Sequence, residues 1–511
     1  MNLHHASPTR MHSSMRSNSR LVIGLLGTFC VSFPLTHAQA QNSDELVLKV
    51  QQLTDAMSAT QRELEKSQHD LEQLRSQLTS LRQQIADFHG AETTTTSASE
   101  LSAAVEQIRE QQSVEQAQIA THEQSKVETE SKYPLKLSGL VLLNGFVNTT
   151  QVDDPVAPTL VLPGSGSTGI SLRQTIVGFD ARGPGVFNAR THADLRADFF
   201  GDGSGAGGAY SYSGGLLRLR TAHGSIDWEN TQAFFSLDRS LVAPNTPTSL
   251  TAVAVPALGW SGNLWTWNPQ LGVTQDVPLS GAGRFRLQGA VIDVMNPPQI
   301  YTLTVATPPG VTRPSTSEMS RWPGAEARLA MLRGAEDSGM QVGVGGLFVP
   351  HRTSGGTRFD SWAGTVDYRI PLPGRAEFSG SAYWGQALGG VGGGAYKDYV
   401  FSFSPAAGYS FRALDDMGGW AQLKERVSER LELNAAFGTD QVPASQLRPY
   451  AGDPIQYYLN QARNRTYTAN VIYSPSAYLT FSMEYRHIQS SPVVEYTTSG
   501  DIIGIATGYR F

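Results

Sequence analysis

Cysteine is all but absent from this chain of 511 residues. Only Cys30 occurs, so an intrachain disulfide, a CxxC pair, cysteine-ligated zinc and a catalytic thiol are all excluded. Charge is scarce too: Asp, Glu, Lys and Arg make up 16% of residues, against roughly 25% in ordinary soluble domains. Neither sign dominates, with 39 Lys plus Arg against 45 Asp plus Glu and a net charge of −6. That balance leaves no basic footprint for a nucleic acid. Missing as well is any run of the about 18 uncharged apolar residues that a spanning helix needs, so a mature chain in a membrane would cross it as strands. Glycine, in contrast, is plentiful at 51 residues. The length suits several globular domains or one large barrel.

The chain divides into zones. Arg10, Arg16 and Arg20 precede the apolar run Leu21 to Phe33 and then Thr36-His37-Ala38-Gln39-Ala40, the order of a secretory signal cleaved after Ala40. About 13 apolar residues are too few for an uncleaved anchor, and bulky Phe29 before Cys30 argues against a lipoprotein. Residues 1–40 therefore read as a signal peptide. From Leu46 the apolar positions fall alternately four and three apart, through Val50, Leu53, Met57, Leu64, Leu71, Leu74, Leu78, Leu81, Ile85 and Phe88, with Thr60 and Ser67 as polar layers. A stripe only two positions per heptad wide suits a partner helix better than a globular core. Residues 41–90 are thus expected to form a coiled coil, a rod about 65 Å long. Residues 91–132 open with GAETTTTSAS and read as a linker followed by a looser helix.

Beyond Pro134 the period changes from seven to two. In Phe187 to Phe199 the residues Phe187, Ala189, Thr191, Ala193, Leu195, Ala197 and Phe199 alternate with Asn188, Arg190, His192, Asp194, Arg196 and Asp198. The same two-faced order returns at Leu479 to Arg486, Thr466 to Tyr473, Arg284 to Val291 and Leu431 to Phe437. A soluble sandwich puts the apolar face inward; a membrane barrel turns it to lipid and the polar face to a wet lumen.

The connections favour the barrel. Short turns at Gly183-Pro184, Glu229-Asn230, Ser280 to Ala282, Gly334 to Gly339, Pro371 to Gly374, Ser428-Glu429 and Pro475-Ser476 alternate with longer stretches rich in Gly, Pro or Thr. Outer-membrane barrels keep that order, with tight periplasmic turns and extended outer loops. Counting strands between the breaks gives about sixteen, enough for an aqueous channel. The fold class is an all-β transmembrane barrel over 133–511, preceded by an α-helical coiled coil. Trp260 to Val277 and Trp420 to Val427 are poorly patterned.

The chain ends Ile505-Ala506-Thr507-Gly508-Tyr509-Arg510-Phe511, which resembles the terminal-Phe signature of outer-membrane barrels. Signal, coiled coil and barrel together are similar to the DcaP-like trimeric porins, and secondarily to the phosphate-selective porins. The segments SLRQTIVGFDARGP (171–184) and LRLRTAHGSIDW (217–228) look like early barrel strands of those families. The resemblance implies a homotrimer of barrels, each with its own pore, an inward-folded constriction loop and a coiled coil in the periplasm. By order, the constriction loop is the third long connection, roughly 240–264, which is almost uncharged here (VAPNTPTSLTAVAVPALGWSGN).

The pore-lining candidates by parity are Arg190, Asp194, Arg196, Asp198, Arg218, Arg220, Arg284, Arg286, Arg328, Glu484 and Arg486, with Glu326 as a further carboxylate. Arg218 and Arg220 share a strand face, as do Arg284 and Arg286. On facing walls such pairs would form a cationic ladder favouring small anions; paired with carboxylates they would stiffen the wall instead. Enzyme chemistry has no support. His192, His223, His351 and His487 are scattered, and none lies in a nucleophile motif. The acidic pairs Asp153-Asp154 and Asp415-Asp416 read as solvated loop residues, so no catalytic residue, metal or cofactor is expected. Tyr467, Tyr473, Tyr478, Tyr485 and Tyr509, with Trp228, Trp362 and Trp384, fit headgroup-level girdles or a sugar slide.

The expected function is passive diffusion of small hydrophilic solutes, organic anions among them, across the bacterial outer membrane. The expected partners are two further copies, outer-membrane lipid and the solutes, with no nucleic acid. The alternative is a structural envelope tether, in which the coiled coil engages peptidoglycan or a periplasmic partner and the barrel is the anchor.

Overall fold

The computed structural model describes residues 135–201, 215–279, 282–298, 314–335, 338–404, 408–451 and 457–511. The expected signal peptide, coiled coil and linker lie outside the described residues. The strands begin with β1 (Leu135–Val152), β2 (Val161–Ser171), β3 (Ile176–Arg182), β4 (Arg190–Asp198), β5 (Arg218–Asp227) and β6 (Thr231–Arg239). Next come β7 (Trp267–Pro278), β8 (Gly283–Ile292), β9 (Gly324–Arg333), β10 (Met340–Arg352), β11 (Arg358–Pro371) and β12 (Ala376–Gln386). A small hairpin, β13 (Tyr399–Ser404) with β14 (Gly408–Ala413), precedes β15 (Asp415–Arg426), β16 (Leu431–Gln441), β17 (Gln461–Tyr473), β18 (Leu479–Pro492) and β19 (Thr498–Arg510).

Each sheet strand pairs antiparallel with its sequence neighbour, and β1 closes the ring on β19 from Leu140↔Arg510 to Asn148↔Ile502. One stave is broken. β2 pairs with the upper half of β1 and β3 with the lower half, so the two count as one, and the barrel has sixteen staves. The break at residues 172–175 falls inside the segment 171–184 that the sequence presents as one strand. At the break Gln174 is fully buried, and its Oε1 accepts from Val253 N at 2.7 Å and Ala254 N at 2.8 Å.

All seven turns expected from Gly, Pro and Asn lie at one end of the barrel, as the connections 183–189, 228–230, 279–282, 334–339, 372–375, 427–430 and 474–478 between consecutive strands. Both termini of the barrel share that end. There Phe511 exchanges two backbone hydrogen bonds with Gly139, at 3.0 and 3.1 Å. A side chain at Gly139 would meet the Phe511 ring at 2.5 Å and Ile176 O at 2.8 Å, so glycine is required where the seam closes.

The two faces are inverted relative to a soluble protein. On β18, Phe481, Met483 and Tyr485 are exposed while Thr480, Ser482, Glu484 and Arg486 are buried. On β9, Ala325, Ala327, Leu329, Met331 and Arg333 alternate outward against buried Gly324, Glu326, Arg328, Ala330 and Leu332. An apolar outer band around a polar interior is what hydrocarbon demands of a closed sheet. No helix among the described residues is long and apolar enough to cross a membrane. Several aromatics lie on the outward face, where Trp362 and Trp384 meet edge to face at 4.7 Å, and Tyr478 stacks with Tyr509 at 6.3 Å. Tyr467, Tyr473, Tyr485 and Tyr509 are exposed on outward positions, Tyr473 and Tyr509 at strand ends as a girdle requires and Tyr467 and Tyr485 in mid-strand.

Candidate functional site: the lumen and its inward connections

Residues 240–266 leave β6 and turn into the barrel instead of rising from its rim. Their partners lie on staves around most of the ring. Ser240 Oγ and Leu241 N donate to Glu326 of β9; Thr248 N donates to Gln422 Oε1 of β15 at 2.6 Å. Ser249 Oγ donates to Glu484 Oε2 of β18 at 2.5 Å, and Leu250 O accepts from Asn144 Nδ2 of β1 at 3.0 Å. Farther along, Ser261 pairs with Thr466 of β17 at 2.8 Å and Asn464 donates to Trp260 O at 3.1 Å. The near absence of charge in this segment now has a cause. Its polar contacts are hydroxyls and backbone groups matched to wall amides and carboxylates, and its apolar side chains are buried against the wall. Gly262, at φ +98°, lies so close to Gly419 O that any Cβ would stand 2.1 Å away; backbone approaches wall without a side chain between.

Two other connections join it. In 153–160, Asp153 braces the turn by accepting from Thr159 N at 2.8 Å and Leu160 N at 2.9 Å, and burial raises its pKa. In 387–398, Gly394 N donates to Asp416 at 2.6 Å, Ala395 N to Asp440 at 2.7 Å, and Tyr396 Oη to Thr159 O at 2.9 Å. Lys397 Nζ donates to Ala395 O at 2.8 Å, Tyr458 O at 3.1 Å and Gln461 O at 2.5 Å. Burial pulls its ammonium down to about 7 and pushes the Asp398 carboxyl up to about 7. The acidic pairs expected to be solvated are therefore structural: Asp153 holds a turn, and Asp416, fully buried at the start of β15 rather than in a loop, holds the 387–398 connection.

The lumen-parity charges fall into two groups. Beneath the inward connections, Arg328 and Asp367 form a two-pronged pair at 2.8 and 2.7 Å with side chains 3% and 0% exposed. Arg486 and Glu484 pair at 2.6 Å, 7% and 1% exposed. The second group lies on β3–β8, where Arg218 also donates to Ala254 O of the inward segment at 2.7 Å. Asp198 receives both Arg218 at 2.7 Å and Arg220 at 2.9 Å, and Asp276 receives both Arg284 at 3.1 Å and Arg286 at 2.8 Å. Arg196 pairs with Asp180 at 2.6 Å and approaches Asp194 at 4.0 Å. Arg190 stands exposed at the short-turn end of β4. The arginine pairs are not on facing walls: β5 and β8 are three staves apart, and every arginine of the two pairs has a carboxylate partner. Each pair nevertheless shares one carboxylate between two guanidiniums, and Arg218, Arg284 and Arg286 keep 20–26% of their side chains accessible.

Sequence parity brings these residues to the interior and misses two things. A bulge on β5 opposite Arg196/Ala197 places both Arg218 and Arg220 on Asp198, which the i, i+2 rule had anticipated, then shifts the parity of the rest of the strand. That shift turns His223 inward beside Asp194 and His192. The other histidines stay apart: His351 stacks on Phe359 and contacts Thr316 and Ser361, and His487 pairs outward with Asp501 at 2.7 Å.

No family model and no curated protein matches the chain. Among solved structures, the outer membrane channel DcaP of Acinetobacter baumannii superposes with a TM-score of 0.54 at 15% identity, over 75% of this chain and 99% of that one. An anion-selective porin from Comamonas acidovorans gives 0.45 at 10% identity, over 74% and 100%. OmpF of Salmonella typhi in complex with daunomycin gives 0.45 at 9%, over 75% and 99%. At such identities the likeness is one of fold: the described chain is a sixteen-stave barrel similar to that of the DcaP channel.

Proposed function

We propose that this protein is an outer-membrane porin, a passive channel for small hydrophilic solutes with a preference for organic anions. The reading is carried by one observation: a closed sheet apolar outside and polar inside, with a wall of half-accessible charges on β3–β8. Solute passes along that wall, where the side chains of Arg196, Arg284 and Arg286 stay partly accessible. Anion preference follows from the two sites where a single carboxylate receives two arginines, Asp198 with Arg218 and Arg220 and Asp276 with Arg284 and Arg286, which gather guanidinium groups on one stretch of wall. Glu484 and Arg486, bonded to Ser249 and to Pro158 O, anchor the inward connections, Arg328 braces the wall through Asp367, and Arg190, Arg196 and Asp194 line the path with the two arginine pairs that Asp198 and Asp276 hold. The short-turn end faces the periplasm, three copies assemble, and residues 41–90 are read as a periplasmic coiled coil.

The test is reversal potential in planar bilayers under a salt gradient. The expected sign is anionic, and R284A with R286A moves it toward zero. Cation selectivity in the parent, or no change in the double variant, overturns the anion reading; no conductance at all overturns the porin. A chain lacking residues 41–132 addresses the tether alternative: envelope integrity lost while solute uptake persists would make tethering the main role.

A further inference from the structure

We propose that His192, Asp194 and His223 form a binding site for one divalent transition-metal ion in the barrel wall. His192 and Asp194 are two apart on β4 and project to the same face. Asp194 is the direct cross-strand partner of His223 on β5. The three ligand atoms lie within 4.8 Å of one another, all on half-buried side chains. Both imidazoles aim Nδ1 at the same carboxylate oxygen, Asp194 Oδ2, at 3.8 Å from His192 and 3.7 Å from His223.

Those gaps are too long for hydrogen bonds. They are close to the separation of about 3.3 Å that two ligands adopt around a tetrahedral ion with bonds near 2.0 Å. A small rotation of each side chain closes the set, with no backbone movement, because the strand register already fixes the three Cβ atoms on one face. The ring plane of His223 is held by stacking on Phe234, at 5.9 Å and 28°, which lowers the ordering cost of binding. Two imidazoles and one carboxylate suit zinc, copper or nickel, whereas calcium and magnesium take oxygen ligands. The remaining coordination positions face the lumen, where water or a solute carboxylate can complete them. Arg196 is the opposing influence, but its nearer partner is Asp180, at 2.6 Å against 4.0 Å for Asp194.

The site does not depend on conduction, so its test is made on the isolated protein and fails or succeeds independently of the porin reading. Full-length, untagged protein in detergent is titrated with zinc alone and, separately, with copper for paramagnetic resonance. Since His4, His5, His12, His37, His69, His89 and His122 also belong to the full-length chain, the readout is the difference between variants. The parent is expected to bind one more zinc per chain than H223A or D194N, with a tenfold or greater loss of affinity in H192A. The copper signal is expected to report two nitrogen ligands in the parent and one in H223A. H487A, outward on β18, retains the parent behaviour, and a large excess of magnesium does not displace zinc. Unheated gel migration verifies that each variant is folded. Equal zinc stoichiometry and affinity in parent, H192A and H223A, or a copper spectrum that H223A leaves unchanged, overturns the site.

Discussion

Placing the same cation on opposite faces of the sheet tests the inversion on which the functional reading rests. Ala382 lies on the outward face in the middle of β12, exposed, opposite Val366 on β11 and Gly419 on β15. Its outward surroundings, with Trp384 and Phe378 on the same strand, hold no carboxylate close enough to neutralise a new charge. Ala436 lies on β16, half-buried on the lumen face, opposite Gln422 and Thr468. Arginine at a lipid-facing mid-strand position costs about 2–4 kcal/mol. At about 1.4 kcal/mol per decade, A382R therefore loses about 30- to 700-fold in the folded-to-unfolded ratio. The wet-face twin A436R should stay within about 1 kcal/mol of the parent. Urea titration of protein folded into phospholipid vesicles, read by tryptophan fluorescence and by migration of unheated samples, measures both. Equal losses, or a greater loss for A436R, would refute an apolar exterior and a hydrated interior.

Two further predictions concern how the lumen is held. Removing one partner of the buried Arg328–Asp367 pair, as in D367A, should cost about 3–5 kcal/mol in the same titration, while the apolar double replacement R328M/D367L should recover most of it; equal stability of single and double variants would show that water already compensates the charges. K397M strips the donor from three buried carbonyls, at about 1–3 kcal/mol for each left bare, and should free the 387–398 connection, seen as faster proteolytic nicking there. Unchanged protease resistance would mean that Asp416 and Asp440 alone retain it.

Much of the wall was readable because lipid and water select residues in strict alternation and because tight turns need Gly, Pro or Asn. Phe187 to Phe199 announced β4 in this way, and Gly334 to Gly339 announced the end of β9. Where a third environment intrudes, the alternation breaks. Trp265 and Trp267 at the entry to β7, and Trp420 on the lumen face of β15, are buried by the inward connections, so the two regions that seemed unpatterned are those whose polar face is dry. The broken stave at 172–175 was hidden because the contact made there, Gln174 bonded to residues 253 and 254, is distant in sequence. Cross-strand register is also invisible in one dimension, which is why His192 and His223 looked scattered and were not joined to Asp194. The arginine pairs were found by spacing, but their shared carboxylates were not.

The seam between β1 and β19 has a consequence for biogenesis. The first and last staves are each other's only partners on that side, so a nascent chain released early has two bare edges and nothing to cap either. Closure must wait for Phe511 to reach Gly139. Premature stop codons anywhere in the barrel should therefore yield no shorter channel, only substrate for quality-control proteases.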